Sequence, residues 1–230
     1  MKGLLPTISC DIKLQLRNGF YYATLFVVIF FILGLSQLPE IDWNWLLPLV
    51  IVLNMNYTAF YFVGGLLLLE KDQGTLSVQG ITPLKAGEYL LSKILSLSML
   101  IIIESTILVI VLYGFSFNIF FLIAGTILAA AIYILSGFLA VVPYQSISDY
   151  ILPSVGYAAL VSIPLLTGFT QWNHWIIYLH PLQGPLILLN TVFMKAETWQ
   201  LIYGFVYSLI WCSILFAYAK RAYSMLILGE

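Results

Sequence analysis

Long apolar runs separated by short charged segments constrain this chain more than any other feature. Six runs, at roughly 20–38, 46–69, 94–114, 119–142, 151–170 and 201–219, approach or exceed the ~20 apolar residues a helix needs to cross a ~30 Å hydrocarbon core. Only 8% of the 230 residues are charged, against about 25% in soluble domains. A chain of this composition cannot clothe itself in polar groups, so lipid must be its solvent. The runs predict an all-α integral membrane protein: one transmembrane domain over 1–230, with six transmembrane helices within 20–219.

The placement of charge refines that expectation. Lys2, Lys13 and Arg17 precede the first run, Lys71, Lys85 and Lys93 lie between the second and third, and Lys220 and Arg221 follow the last. With six spans these eight fall on one side, which the positive-inside rule makes cytoplasmic, together with both termini. Only Lys195 falls outside the set. A further apolar stretch, 176–194, contains His180, Pro181, Gly184 and Pro185. Prolines so placed interrupt a helix, and a seventh crossing would move Lys220 and Arg221 to the outer face. Residues 171–200 are therefore expected to form an outer re-entrant segment, anchored at the interface by Trp172, Trp175, Tyr178 and Trp199.

Residues 4–18 form another kind of helix. Leu5, Ile8, Ile12 and Leu16 recur at steps of three and four, and Lys13 and Arg17 lie opposite them. Residues 1–19 are thus expected to be an amphipathic interfacial helix on the cytoplasmic surface. The first apolar run is too long for a signal-peptide core and should remain in the membrane. The fourth run is rich in small residues, from Ala124 and Gly125 to Gly137, which suits a tightly packed inner helix.

Several functions are excluded or weakened. The net charge of −1 and scattered basic residues argue against nucleic acid as a partner. Cys10 and Cys212 read as free thiols. His174 and His180, six residues apart, match no zinc motif, and no nucleophile has a plausible base, so no catalytic, cofactor or metal site is expected. No P-loop occurs, so the chain should not bind ATP itself.

The polar stretch from Glu70 to Lys85 is the most informative. Gly74 can end the second long helix at its C′ position. Thr75 can cap a short helix to Gln79, which Gly80 can end. Thr82 can cap the next helix with Pro83 at its first position. A short cytoplasmic helix with an elbow results, and Leu76, Ile81 and Leu84 supply apolar contacts. Exposed apolar residues of this kind suggest a binding partner.

Mid-span polar residues are the other candidates. Asn54, Thr58 and Tyr61, at i, i+4 and i+7, share one face of the second run if it is α-helical. Ser154 and Tyr157 lie in the fifth run. Such groups either hydrogen-bond a neighbouring helix or line a polar cavity. Glu104 is the one ionisable residue near the centre of a run. It must face protein or water, as a neutral hydrogen-bonded acid or as a substrate or proton site.

Glu70 through Lys93 resembles the signature of type-2 ABC transporter permeases, and Asp11–Tyr21 is similar to the fluoroquinolone-export branch of that family. The resemblance implies a coupling helix within 70–85, with Glu70, Thr75, Leu76, Ile81, Thr82, Pro83 and Leu84 contacting a separate ABC ATPase subunit that binds ATP and Mg. It implies a second permease subunit, identical or paralogous, and export of a hydrophobic or amphiphilic substrate such as a drug across a prokaryotic cell membrane. It also favours the cavity role for Asn54 and Thr58. Two alternatives stay open: a heme-exporter-type permease, and a proton-coupled secondary transporter using Glu104.

Overall fold

A computed structural model describes residues 3–38, 42–76, 84–166 and 175–228. In chain order these hold α1 (Leu4–Arg17), α2 (Phe20–Ser36), α3 (Trp43–Met55), a π-helical segment (Asn56–Tyr61) and α4 (Phe62–Asp72). Beyond them lie α5 (Ala86–Tyr113), α6 (Ile119–Val141), α7 (Ile147–Val161), 3-10 turns at Ile163–Leu165 and Trp175–Leu179, α8 (Gln183–Asn190) and α9 (Thr198–Leu228).

The expectation of six spans is corrected. Among the described residues four helices are long and apolar enough to cross a membrane: Trp43–Asp72, Ala86–Tyr113, Ile119–Val141 and Thr198–Ile227. A fifth exists only if α1 and α2, bent by 64° at their junction, count as one span. The physical reason lies in continuity. The run 20–38 yields a helix of 17 residues, and the run 151–170 one of 15 that stops at Val161. At 1.5 Å per residue these reach about 25 and 22 Å, short of the ~30 Å core. Ser162 leaves helical backbone (φ −93°, ψ 4°), and the chain then tightens into a 3-10 turn containing Pro164. A run of apolar side chains is not the same as a run of helical hydrogen bonds.

The N-terminal helix also makes contacts that its pattern did not announce. α1 forms over nearly the expected residues, but its fully buried positions are Asp11 and Gln15, while Leu5 and Leu16 are exposed. Its polar side turns toward α5. Within the outer segment, Pro185 sits in the first turn of α8, where a missing N–H leaves no intrahelical bond unmade. The prolines thus start a short buried helix. Trp172 and His174 lie outside the described residues.

α6 is the inner helix that its small residues suggested, packing against α4, α5, α7, α8, α9 and the π segment. At Gly137 an added Cβ would stand 2.7 Å from the Phe60 carbonyl oxygen, so only glycine permits that approach. Helix directions are fixed by contacts at each end. At one end, the Tyr113 hydroxyl donates to Asn44 Oδ1 (2.9 Å) and the Asn118 N–H to the Val192 carbonyl (3.2 Å). At the other, here called the base, Tyr89 stacks on Tyr223 with centroids 4.4 Å apart, and Lys71 Nζ donates to the carbonyls of Val142 and Tyr144 (2.7 and 2.6 Å). Lys71 so completes the C-terminus of α6, whose last carbonyls lack helical partners.

Candidate functional site

Two polar regions stand out in an otherwise apolar bundle. The first is at the base. Lys93, in the second turn of α5, is 1% exposed. Its ammonium donates to Asp11 Oδ1 of α1 (2.5 Å) and to Glu70 Oε1 near the end of α4. The Tyr89 hydroxyl donates to the other Glu70 oxygen (2.5 Å), and the Ser92 hydroxyl to the other Asp11 oxygen (2.6 Å). Lys93 also lies over the Tyr89 ring, 5.0 Å from its centroid. One turn farther along α5, Gln15 Nε2 donates to Ser96 Oγ (3.0 Å). Each carboxylate therefore has a charge-assisted bond and a hydroxyl donor, the condition under which buried charge is tolerated.

The described start of the polar loop, residues 73–76, follows directly on this cluster. Gly74 has φ 66° just past α4, the left-handed C′ residue expected from the sequence. The Thr75 hydroxyl donates to the Glu70 carbonyl (3.0 Å), and Leu76 is buried within the hydrophobic core. On the far side of the loop, Leu84 and Lys85 are not helical. α5 begins at Ala86 with Lys85 as its extended N-cap (φ −81°, ψ 145°), not in the turn after Thr82. Ile81, Thr82 and Pro83 lie outside the described residues.

The second region is at mid-bundle, where the π segment widens one turn of the second span. Such insertions interrupt the i→i+4 ladder and often mark functional sites. They also rotate the facing of later residues in the helix. Thr58 turns inward and donates to Glu104 Oε2 (3.0 Å), whereas Tyr61 is half-buried and stacks on the exposed Tyr57. Asn56 points to α7 and donates to Ser162 Oγ (2.5 Å), which lies 3.1 Å from the Tyr133 hydroxyl. Ser154 bonds its own helix at the Ile151 carbonyl (2.6 Å), and Tyr157 is 41% exposed. The structure thus joins Thr58 to Glu104 and leaves Ser154 and Tyr157 apart from them.

Several polar atoms in this region have no hydrogen-bond partner among the described residues: both amide atoms of Asn54, Asn56 Oδ1, Glu104 Oε1 and Ser105 Oγ. All are buried, and buried polar groups left so are uncommon. Asp11, Tyr89, Asn56, Tyr133 and Ser162 escaped sequence reasoning as site residues. The one available signal was Lys93, a lysine directly abutting an apolar run.

A model of the fluoroquinolones export permease protein family matches residues 2–229. The chain belongs to that family. Two curated relatives, both called fluoroquinolones export permease protein, come from Mycobacterium tuberculosis strains CDC 1551 / Oshkosh and ATCC 25618 / H37Rv. Each is 28% identical over 226 residues, covering 97% of this chain and 95% of the relative. The chain is accordingly a multi-span, all-α membrane permease whose role is transport. For such a permease the base cluster is a candidate mechanical element, and the mid-bundle region a candidate pathway element.

Proposed function

We propose that this permease is the membrane subunit of an ATP-driven ABC exporter, and that the loop at 70–85 receives a separate ATPase chain. The observation that carries the proposal is the attachment of that loop to the buried ion cluster. The loop leaves α4 through Thr75, bonded to Glu70, and re-enters at Leu84, which lies beside α1: a Cβ on Gly3 would stand 3.3 Å from Leu84 Cδ1. Movement of the loop would therefore reach Lys93. Lys93 and Glu104 are eleven positions apart on α5, which is about three turns, so they share a face about 16 Å apart. α5 is a lever joining the loop to the polar mid-bundle.

The base, with its basic residues and both termini, is cytoplasmic in this proposal. A second permease chain completes the pathway, and the exposed flank of α9 is available to it. The cargo is hydrophobic or amphiphilic. The relatives' names suggest fluoroquinolones, and Asn54, Thr58, Tyr61 and Glu104 are the pathway residues nearest to mid-bundle.

Leu76 is buried in the permease itself, so the informative substitutions lie past it. Ile81→Ala should weaken co-purification of the ATPase, and Leu84→Ala should do so together with some fall in melting temperature, since Leu84 also packs against the core. A truncated interface anchor costs about 2–4 kcal/mol, roughly 30- to 1000-fold in affinity. Pro83→Gly should keep the ATPase bound but loosen hydrolysis from transport. An alanine scan of 70–85 that changed neither binding nor substrate-stimulated hydrolysis would overturn the proposal.

A further inference from the structure

Eight of the nine basic residues precede or follow apolar runs at the base end; Lys195 is placed at the opposite end. The positive-inside bias works against a lysine there, so its presence asks for a local reason. The structure supplies one. Lys195 lines a cavity of about 390 Å³ between the start of α3, α8 and the start of α9. Trp45, Leu49 and Leu186 give it an apolar wall, and Asn190 and Gln200 add two amides. Leu49 and Leu186 are buried, so the wall is part of the packed bundle and is preformed.

Lys195 has no counter-ion among the described residues. Glu40 lies outside the described residues, and the two described carboxylates at this end bond elsewhere. Asp42 Oδ1 caps α3, accepting from the Asn44 backbone N–H (3.0 Å) and side-chain amide (2.8 Å). Glu197 Oε2 accepts from Trp199 Nε1 (2.5 Å). Neither lines the cavity. The cavity therefore offers one cationic side chain that forms no ion pair among the described residues, beside an apolar and aromatic surface. Its size lies within the ~300–1,000 Å³ of small-molecule sites, and its chemistry is theirs: mostly apolar, with a few polar groups that orient the occupant.

We propose that this outer cavity binds an anionic amphiphile, with a carboxylate, sulfonate or phosphate on Lys195 and an apolar body against Trp45, Leu49 and Leu186. A lipid of the surrounding leaflet and a soluble amphiphilic acid share that chemistry. The site needs no ATPase, so it stands or falls apart from the exporter assignment.

The test is binding to the purified full chain in phosphatidylcholine vesicles. The probe is a fluorescent dansyl-labelled fatty acid, compared with its uncharged methyl ester. The acid should bind roughly 10-fold more tightly than the ester, the size of one hydrogen bond to a charged group. Lys195→Gln should remove that difference by weakening the acid alone, and Lys195→Arg should retain it. Lys195 is exposed, so each variant should melt as the wild type does. Phosphatidylglycerol that displaces the acid from the wild type supports the site and names a lipid as its occupant. Binding that resists phosphatidylglycerol supports it with a soluble acid. Equal binding of acid and ester by the wild type, or unchanged binding of the acid by Lys195→Gln, overturns the proposal.

Discussion

The base and the middle of this permease both bury polar side chains, but they finish the task differently. At the base, Lys93 pairs with both Asp11 and Glu70, and Tyr89 and Ser92 donate to the remaining carboxylate oxygens, so every carboxylate oxygen has a partner and Gln15 Oε1 beside them is left over. At mid-bundle, Thr58 meets one oxygen of Glu104, and the other oxygen, Ser105 and the whole Asn54 amide are left over. A completed network holds three helices in one arrangement. An incomplete one keeps hydrogen-bonding capacity for water or cargo, and it sits beside a π segment whose backbone is already irregular. The contrast assigns mechanical fixation to the base and exchangeable contacts to the middle.

The largest effect should come from breaking the completed network. Lys93→Met would leave two carboxylates buried without their cation, a loss of about 3–5 kcal/mol. Thermal melting of the detergent-solubilised protein should fall steeply or folded protein should be lost. Adding Asp11→Asn and Glu70→Gln to Lys93→Met should restore part of the stability, because uncharged groups are easier to bury. If Lys93→Met alone melted like the wild type, the base would not be a lock.

At mid-bundle the same kind of change should matter less for folding and more for transport. Glu104→Gln retains an acceptor for Thr58, so stability should stay within about 1 kcal/mol. Thr58→Val removes the donor and should cost about 1–3 kcal/mol. Transport assayed against pH separates the two roles of Glu104. A proton-carrying carboxyl makes the Gln variant lose its pH dependence; a wild-type profile in that variant rules the proton role out.

The smallest effect concerns His180, which ties the segment before α8 to the end of α7. Its Nδ1 accepts from the Leu182 N–H (3.2 Å), so Nε2 carries the proton and donates to the Leu160 carbonyl (3.0 Å). Burial holds its pKa below the usual 6.5, although the bond to Leu160 opposes this. A depressed histidine contributes stability that is present above its unfolded pKa and is lost as pH falls through its folded pKa. Melting temperature should therefore decline slightly below about pH 6.5, by the equivalent of about 1 kcal/mol or less. His180→Gln should flatten that decline; an identical decline in the variant would place its origin elsewhere.

Part of this was legible in the residues. Apolar runs announce an all-α membrane protein, and Gly74 announces the end of α4, because glycine is the residue that adopts φ 66° without strain. The small residues of α6 announce an inner helix, since Gly137 is where another backbone must approach. These are local properties of side-chain size and backbone freedom. The span count was not legible. Hydropathy sees apolar side chains in 151–170 and is blind to the loss of helical backbone at Ser162. Nor could the pairing of Asp11 with Lys93 be read, because 82 positions separate them and only the folding of α1 onto α5 makes them neighbours. The one-face alignment of Asn54, Thr58 and Tyr61 assumed 3.6 residues per turn, and the π segment removed that period. Sequence determined the solvent, the helical class and the helix ends, which depend on single residues. Tertiary structure decided which charges meet and which polar atoms stay unpaired, because those depend on distances that no spacing along the chain contains.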